Sequence, residues 1–391
     1  MNKIKNSSMF LLWAGAAISI SEIYTGGLIA PLGFQNGLLA IIVGHIIGTA
    51  LLAFGGYICF KENKNAMESV KTSMGGLGAK FIASLNVLQL LGWSAIMIIQ
   101  GGRALSSVFP TFSLNITIFI MAMLVFLWVY YFNNYSKIIN DLSVIALILL
   151  CITLFWNLQS KAPITLPINI NFATAIELSI AMPVSWLPLI GDYTKNAKNK
   201  AGSYLYTFLG YFIGSVLMFT LGLYITLGTG KDIIEFIASN NFKFIACIII
   251  VLSTTTTTFL DIYSAVISSK QIFHIKKENT YIILYSLLAT ITAYLFPIEQ
   301  YQNFLLTVGS VFIPIYTIVF LEYLFASERR ESNLNVKGLV LAAFGTAFYY
   351  YLTKLQFGIP TIIVMGVMTL LYLFLFQNKL VSTIKNSLRK N

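Results

Sequence analysis

The chain alternates between apolar stretches about as long as a membrane-crossing helix and short polar gaps. A helix needs roughly 20 apolar residues to cross the hydrocarbon of a bilayer. The pattern predicts spans at about 8 to 32, 37 to 60, 79 to 102, 114 to 132, 138 to 158, 171 to 193, 204 to 229, 243 to 270, 279 to 296, 303 to 325, 336 to 353 and 358 to 377. No gap is long enough for a soluble domain, so the expected fold class is an all-α integral membrane protein with 12 transmembrane helices. The longest inner gap, Lys61 to Gly78, carries Ala66, Met67, Val70 and Met74 at helical spacing. It predicts a short amphipathic helix lying at the membrane interface, with a plain loop as the alternative.

Two spans are interrupted in a corresponding way. Span 1 holds Ser19, Ser21, Glu22, Thr25, Gly26 and Gly27 at mid-depth, and span 6 holds Pro183, Ser185 and Pro188. Broken helices five spans apart predict inverted repeats of five helices each, at about 8–158 and 171–325, with accessory helices at about 336–377 on the periphery. Backbone groups freed by a break cannot stay unpaired in hydrocarbon, so breaks persist where they line a protein cavity. A mere proline kink is the plainer alternative for Pro183 and Pro188. The pairing with span 1 favours a binding site, and such an architecture reads as a secondary transporter for a small polar molecule.

Composition agrees with a bilayer as solvent: 57% of the 391 residues are hydrophobic and 10% are charged, with a mean hydropathy of +0.80. A net charge of +11 ordinarily points to an acidic partner such as nucleic acid. Here only Arg103, Lys161, Lys231, Lys243 and Lys354 of the 25 basic residues fall outside if both termini are cytoplasmic, so the positive-inside rule accounts for the charge. The expected location is a cell membrane, with the lipid bilayer as partner and no obligate protein partner. The first apolar stretch is too long for a signal-peptide core and lacks a cleavage pattern. Cys59, Cys151 and Cys247 lie within apolar stretches and lack disulfide or metal-ligand spacing.

Among polar residues at membrane depth, Glu22 and Asp261 stand out. A carboxylate there costs roughly 3 kcal/mol on the lenient insertion scale and is usually kept for ligand, ion or proton handling. Glu177 lies nearer the outer end of span 6, and a structural role is favoured for it. The run Ser253 to Thr258 offers hydroxyls, of which a pair such as Thr255 and Thr256 could bind a cation with carbonyls of the unwound part of span 1. Threonines also bond back to their own helix, so the signal is unspecific. Asn86, Gln89, Trp93 and Gln100 share one face of span 3. With Trp186 they could hold a flat heterocycle, or serve as interhelical glue. Asp192, at the inner end of span 6, is expected to cap or pair with nearby lysines, or to join an inner gate.

The segments Met182-Pro-Val-Ser-Trp-Leu-Pro-Leu-Ile-Gly-Asp-Tyr-Thr-Lys195, Trp13-Ala-Gly-Ala-Ala-Ile-Ser-Ile-Ser-Glu22 and Leu91-Gly-Trp93 resemble the nucleobase:cation symporter-1 family, and within it the hydroxymethylpyrimidine transporter (CytX) branch. The resemblance runs from about Trp13 onward. It implies a LeuT-like fold with two extra C-terminal helices, and a planar heterocycle held between a span-3 tryptophan, Trp93, and a span-6 aromatic, matched to Trp186. It matches Asp261 to the span-8 position where relatives often carry a substrate-binding asparagine, and Ser21, Glu22, Gln89 and Ser185, at the breaks and on the span-3 face, complete the expected substrate contacts. In sodium-coupled relatives the ion would sit among Thr255, Thr256 and the carbonyls of Ala17 and Ile20. Proton-coupled members exist as well, so sodium or proton is the expected coupling ion, and no other cofactor is expected.

The rivals are a LeuT-fold carrier for an amino acid, purine or allantoin-like compound, a channel, and a polytopic membrane enzyme. The enzyme reading has only His45 and His274 to draw on, with no zinc or phosphate-loop motif.

Overall fold

The computed structural model describes residues 3–131, 142, 145–146, 148–153, 155, 164–239, 243–325 and 333–375. The fifth expected span, about 138 to 158, lies largely outside them, as do Lys137, Lys161, Arg329, Arg330, Lys379, Lys385, Arg389 and Lys390. Everywhere else a helix stands where the apolar pattern predicts one. In chain order these are α1 (Asn6–Ala17), α2 (Ile20–Leu28), α3 (Gly33–Glu62), α4 (Ala66–Val108), α5 (Leu114–Tyr131), α6 (Phe172–Val184), α7 (Ile190–Thr194), α8 (Thr207–Thr229), α9 (Ile233–Ala238), α10 (Lys243–Ser269), α11 (Glu278–Leu295), α12 (Tyr301–Phe325), α13 (Val336–Lys354) and α14 (Pro360–Leu375). Among the described residues, seven helical stretches are long and apolar enough to cross a membrane. The only β pairing among the described residues is an isolated bridge between Ile4 and Ala197.

Burial follows the logic of a bilayer. Large apolar side chains such as Leu88, Ile248 and Leu370 face outward, while Glu22, His45, Asn86, Glu177 and Asp261 are buried inside the bundle. A lipid-facing surface needs no polar coat, and polar groups gain only where protein partners receive them.

Both expected breaks are present. Span 1 divides into α1 and α2 where Ile18 (ψ 83°) and Ser19 (ψ 160°) leave the helical region, and Ser19 caps α2 by accepting the Glu22 N–H. Span 6 divides into α6 and α7 around a 3-10 turn, Leu187–Leu189, which contains Pro188. The helix α2 crosses α8 with backbones almost touching. A Cβ on Gly222 would lie 1.8 Å from the Ile23 carbonyl oxygen, and one on Gly26 would lie 2.0 Å from that of Phe219. Small residues permit such approaches between membrane helices.

Two further segments pack against the bundle. The short amphipathic helix expected between spans 2 and 3 is present rather than a plain loop, begun by the Asn65–Glu68 capping box. Its Ala66, Met67, Val70 and Met74 are all buried, because Gly75 (φ 81°) turns the chain into span 3 and the segment before α13 folds over it. The Asn335 N–H bonds the Met74 carbonyl at 3.0 Å, and the Leu77 N–H bonds the Asn333 carbonyl at 2.9 Å. The two C-terminal helices are tied to the bundle. Tyr349 of α13 and Thr361 at the start of α14 donate to the Glu177 carboxylate, the hydroxyls at 2.5 Å each and the Thr361 N–H at 3.0 Å. They seat both helices on α6.

Candidate functional site

The breaks in spans 1 and 6 face a common narrow cavity inside the bundle. Span 1 contributes Ser19, Ser21 and Glu22, α4 contributes Trp93 and Met97, and the span-6 break contributes Ser185 and Trp186. Thr257 and Asp261 of α10 close it. Six of the residues expected from sequence, Ser21, Glu22, Trp93, Ser185, Trp186 and Asp261, therefore line one cavity.

The freed backbone of the span-6 break is satisfied from α4. Gln89 Nε2 donates to the Ser185 carbonyl at 3.0 Å and to Asn86 Oδ1 at 2.9 Å, and Asn86 Nδ2 donates to the Pro188 carbonyl at 3.2 Å and to Ser268 at 2.8 Å. Gln89 thus stands behind the cavity wall: its amide holds the broken helix open, as a residue with two donors can. Gln100 accepts the Ser21 hydroxyl at 2.6 Å. The polar face of span 3 mostly ties broken helices together, and Trp93 is its member in the cavity.

Aromatic rings bound the space. Trp93 packs edge-on against Tyr301 at 6.0 Å and Phe304 at 5.4 Å, and the Tyr301 hydroxyl lies 2.7 Å from that of Thr25. Trp186 packs edge-on against Trp13, which also meets Tyr193, both at 6.0 Å. The Trp93 ring N–H is buried with no hydrogen-bond partner among the described residues. Asp261 is 4% exposed and has no hydrogen bond or ion pair among the described residues. A buried acid left so is costly unless something in the cavity answers it.

Glu22 is differently held. Tyr211 and Ser215 of α8 donate to its two oxygens at 2.7 and 2.5 Å. Sequence reading did not single out these partners. Their spacing with Gly222, on one face of α8, is the signal they carry.

The residues expected to hold a cation are engaged within their own elements. Thr255 donates to the Val251 carbonyl at 2.6 Å and Thr256 to that of Ser253 at 3.0 Å, while the Ala17 carbonyl takes the Ser19 N–H at 3.0 Å. Ile20 is buried at the start of α2. The hydroxyl that reaches the broken helix belongs to Ser253, which donates to the Ile18 carbonyl at 3.2 Å. This contact falls earlier in the run than the expected pair because the chain leaves the helix at Ile18. Asp192 is buried, with the Ser264 hydroxyl and the Ala66 backbone N–H beside it, and no lysine among the described residues forms an ion pair with it. It lies at the seam between α7, α10 and the start of α4.

The fold is LeuT-like. An inward-facing structure of Mhp1 superposes with a TM-score of 0.80 at 15% identity, covering 95% of this chain and 90% of that one. Mhp1 in a closed conformation with bromovinylhydantoin bound, where it is described as a nucleobase-cation-symport-1 family transporter, superposes at 0.79 and 16%, covering 97% and 94%. A Na+-coupled sialic acid symporter in a substrate-bound outward-open state superposes at 0.64 and 12%, covering 87% of each chain. No curated protein sequence matches. Residues 2–388 match the family described as permease for cytosine/purines, uracil, thiamine, allantoin, and a match over nearly the whole chain means that this protein belongs to that family of membrane permeases, the nucleobase:cation symporters.

Proposed function

We propose that the protein is a secondary active transporter that imports a pyrimidine, such as the thiamine precursor hydroxymethylpyrimidine, or a related nucleobase, together with a sodium ion or a proton. Transport is by alternating access between two inverted repeats, about 8–158 and 171–325, with both termini cytoplasmic. The observation that carries this reading is the partnerless Asp261 carboxyl in a cavity lined by Trp93 and Trp186. An aminopyrimidine presents a ring-nitrogen acceptor beside an amine donor, and a neutral carboxyl presents the complementary donor and acceptor. The unpaired Trp93 N–H adds a donor for an exocyclic oxygen or second ring nitrogen, and the aromatic walls suit a flat ring. The family description supports a heterocyclic substrate, and the residues shared with the CytX branch favour hydroxymethylpyrimidine.

The test is uptake of labelled hydroxymethylpyrimidine, cytosine and uracil into proteoliposomes, with and without a sodium gradient, beside a thermal-shift screen that includes amino acids, purines and allantoin. Saturable pyrimidine uptake that Asp261→Ala reduces at least tenfold is expected. Stabilisation by an amino acid, purine or allantoin and by no pyrimidine would give the site to the rival carrier reading.

A further inference from the structure

Glu22 is one end of a buried polar chain that leads out of the cavity. The Ser215 hydroxyl oxygen, 2.5 Å from Glu22 Oε2, is also 2.5 Å from Nε2 of His45 in α3. The other imidazole nitrogen, Nδ1, lies 2.8 Å from the Ile41 carbonyl oxygen. Glu22, His45, Tyr211 and Ser215 are each at most 1% exposed, and Phe219 covers the imidazole edge-on at 4.5 Å.

Hydrogen bookkeeping decides what this chain holds. A carbonyl oxygen only accepts, so Nδ1 carries a hydrogen. A neutral imidazole then offers a bare Nε2, and an ionised Glu22 offers only acceptors. Ser215 owns one hydrogen and stands within bonding distance of both. It cannot serve two acceptors, and leaving either facing a lone pair in a dry site is costly. One added proton satisfies every contact in two ways. Either it sits on Glu22, which donates to Ser215 while Ser215 donates to Nε2, or it sits on Nε2, which donates to Ser215 while Ser215 donates to Glu22. Both arrangements are electroneutral, which matters where a net charge is expensive.

The surrounding groups do not supply that charge balance. The titratable neighbours are Tyr211 on α8, Tyr301 on α12, whose hydroxyl bonds Thr25 and the Ser21 carbonyl beside Glu22, and Asp261 across the cavity on α10. On α6, which packs along α3, Glu177 is bound by Tyr349 and Thr361. No lysine or arginine among the described residues bonds to Glu22 or His45.

We propose that His45, bridged by Ser215 to Glu22, is a proton-carrying site loaded with one proton in the conformation described above, and that this proton is the ion carried with the substrate. The proposal rests on the transport reading above and extends it to residues behind the cavity wall. Losing the proton breaks one N–H or O–H bond, leaves one negative charge in the unit, and removes one of the two hydrogen bonds through Ser215 that link α2 to α3, while Tyr211 keeps its bond to Glu22. Proton release and separation of these helices are thereby coupled.

The test uses the full chain reconstituted in lipid. Without any substrate, infrared difference spectra between acid and alkaline buffer give a carboxyl and imidazole signal in the wild type that His45→Gln and Ser215→Ala each alter. Spectra identical in all three proteins overturn the proposal. In proteoliposomes free of sodium, an inside-alkaline pH gradient drives accumulation of labelled hydroxymethylpyrimidine in the wild type. In His45→Gln that accumulation falls at least tenfold while binding of the compound persists. Accumulation that follows only a sodium gradient in the wild type, or that is undiminished in His45→Gln, overturns it. If the wild type takes up no pyrimidine, the substrate reading fails and the infrared comparison still decides the proton site.

Discussion

Replacing Gly222 by alanine tests whether the close crossing of α2 and α8 sets the geometry of Glu22. The new methyl carbon would stand 1.8 Å from the Ile23 carbonyl oxygen and 2.9 Å from the Gly27 nitrogen. Both obstacles are backbone, so no rotamer change relieves them. To reach even 3.0 Å, the shortest separation real Cβ atoms tolerate, the helices must part by about 1.2 Å, an overpacking that costs about 1–3 kcal/mol. Ser215 and Tyr211 lie two and three turns before Gly222 on the same face of α8. A parting of that size stretches the 2.5 and 2.7 Å bonds to Glu22 beyond hydrogen-bond range. Leaving a buried carboxyl unpaired adds about 1–3 kcal/mol. The expected outcome is a melting temperature lowered by on the order of 5 °C in detergent, with pyrimidine uptake reduced at least tenfold. Gly366→Ala is the control, since a Cβ there meets nothing within 4 Å and alanine is the better helix former. Wild-type stability and uptake in Gly222→Ala would refute the argument that this crossing positions the carboxylate.

Trp93→Ala is expected to weaken pyrimidine binding by on the order of tenfold or more, as loss of an aromatic platform under a base does. Trp93→Phe should recover part of the loss, and equal affinities of both variants in a binding titration would argue against ring contact. Glu177→Gln replaces an acceptor of three hydrogen bonds by a group that must present an amide donor to one of them. A stability loss of about 2 kcal/mol with unchanged substrate affinity is expected, read by thermal unfolding beside a binding titration. Arg103→Ala removes the 2.8 Å ion pair with Asp232 between α4 and the start of α9, where both side chains are about a quarter exposed. Solvent screening holds the expected loss below about 1 kcal/mol. A larger drop in thermal unfolding would mean that the pair is a structural lock.

The sequence by itself determined what bilayer physics makes local. Spans follow from runs of apolar residues, and the breaks follow from Ser19 and Pro188, whose effects act on their own stretch of chain. The cavity positions of Trp93 and Asp261 were legible for the same reason: a large ring or a carboxyl at mid-depth is expensive to point at lipid. Only the tertiary structure decided the partners. Glu22 reads as a lone intramembrane acid until α8 brings Tyr211 and Ser215 to it and α3 brings His45 behind them, a meeting of three helices far apart in sequence. Gln89 shares a helix face with Trp93 yet reaches the Ser185 carbonyl, because the unwound turn of span 6 needs donors where it passes α4. Glu177 and the buried face of Ala66, Met67, Val70 and Met74 depend likewise on where α13, α14 and their leading segments pack. Periodicity tells which face of a helix is special; which neighbour meets that face depends on packing among all the helices at once.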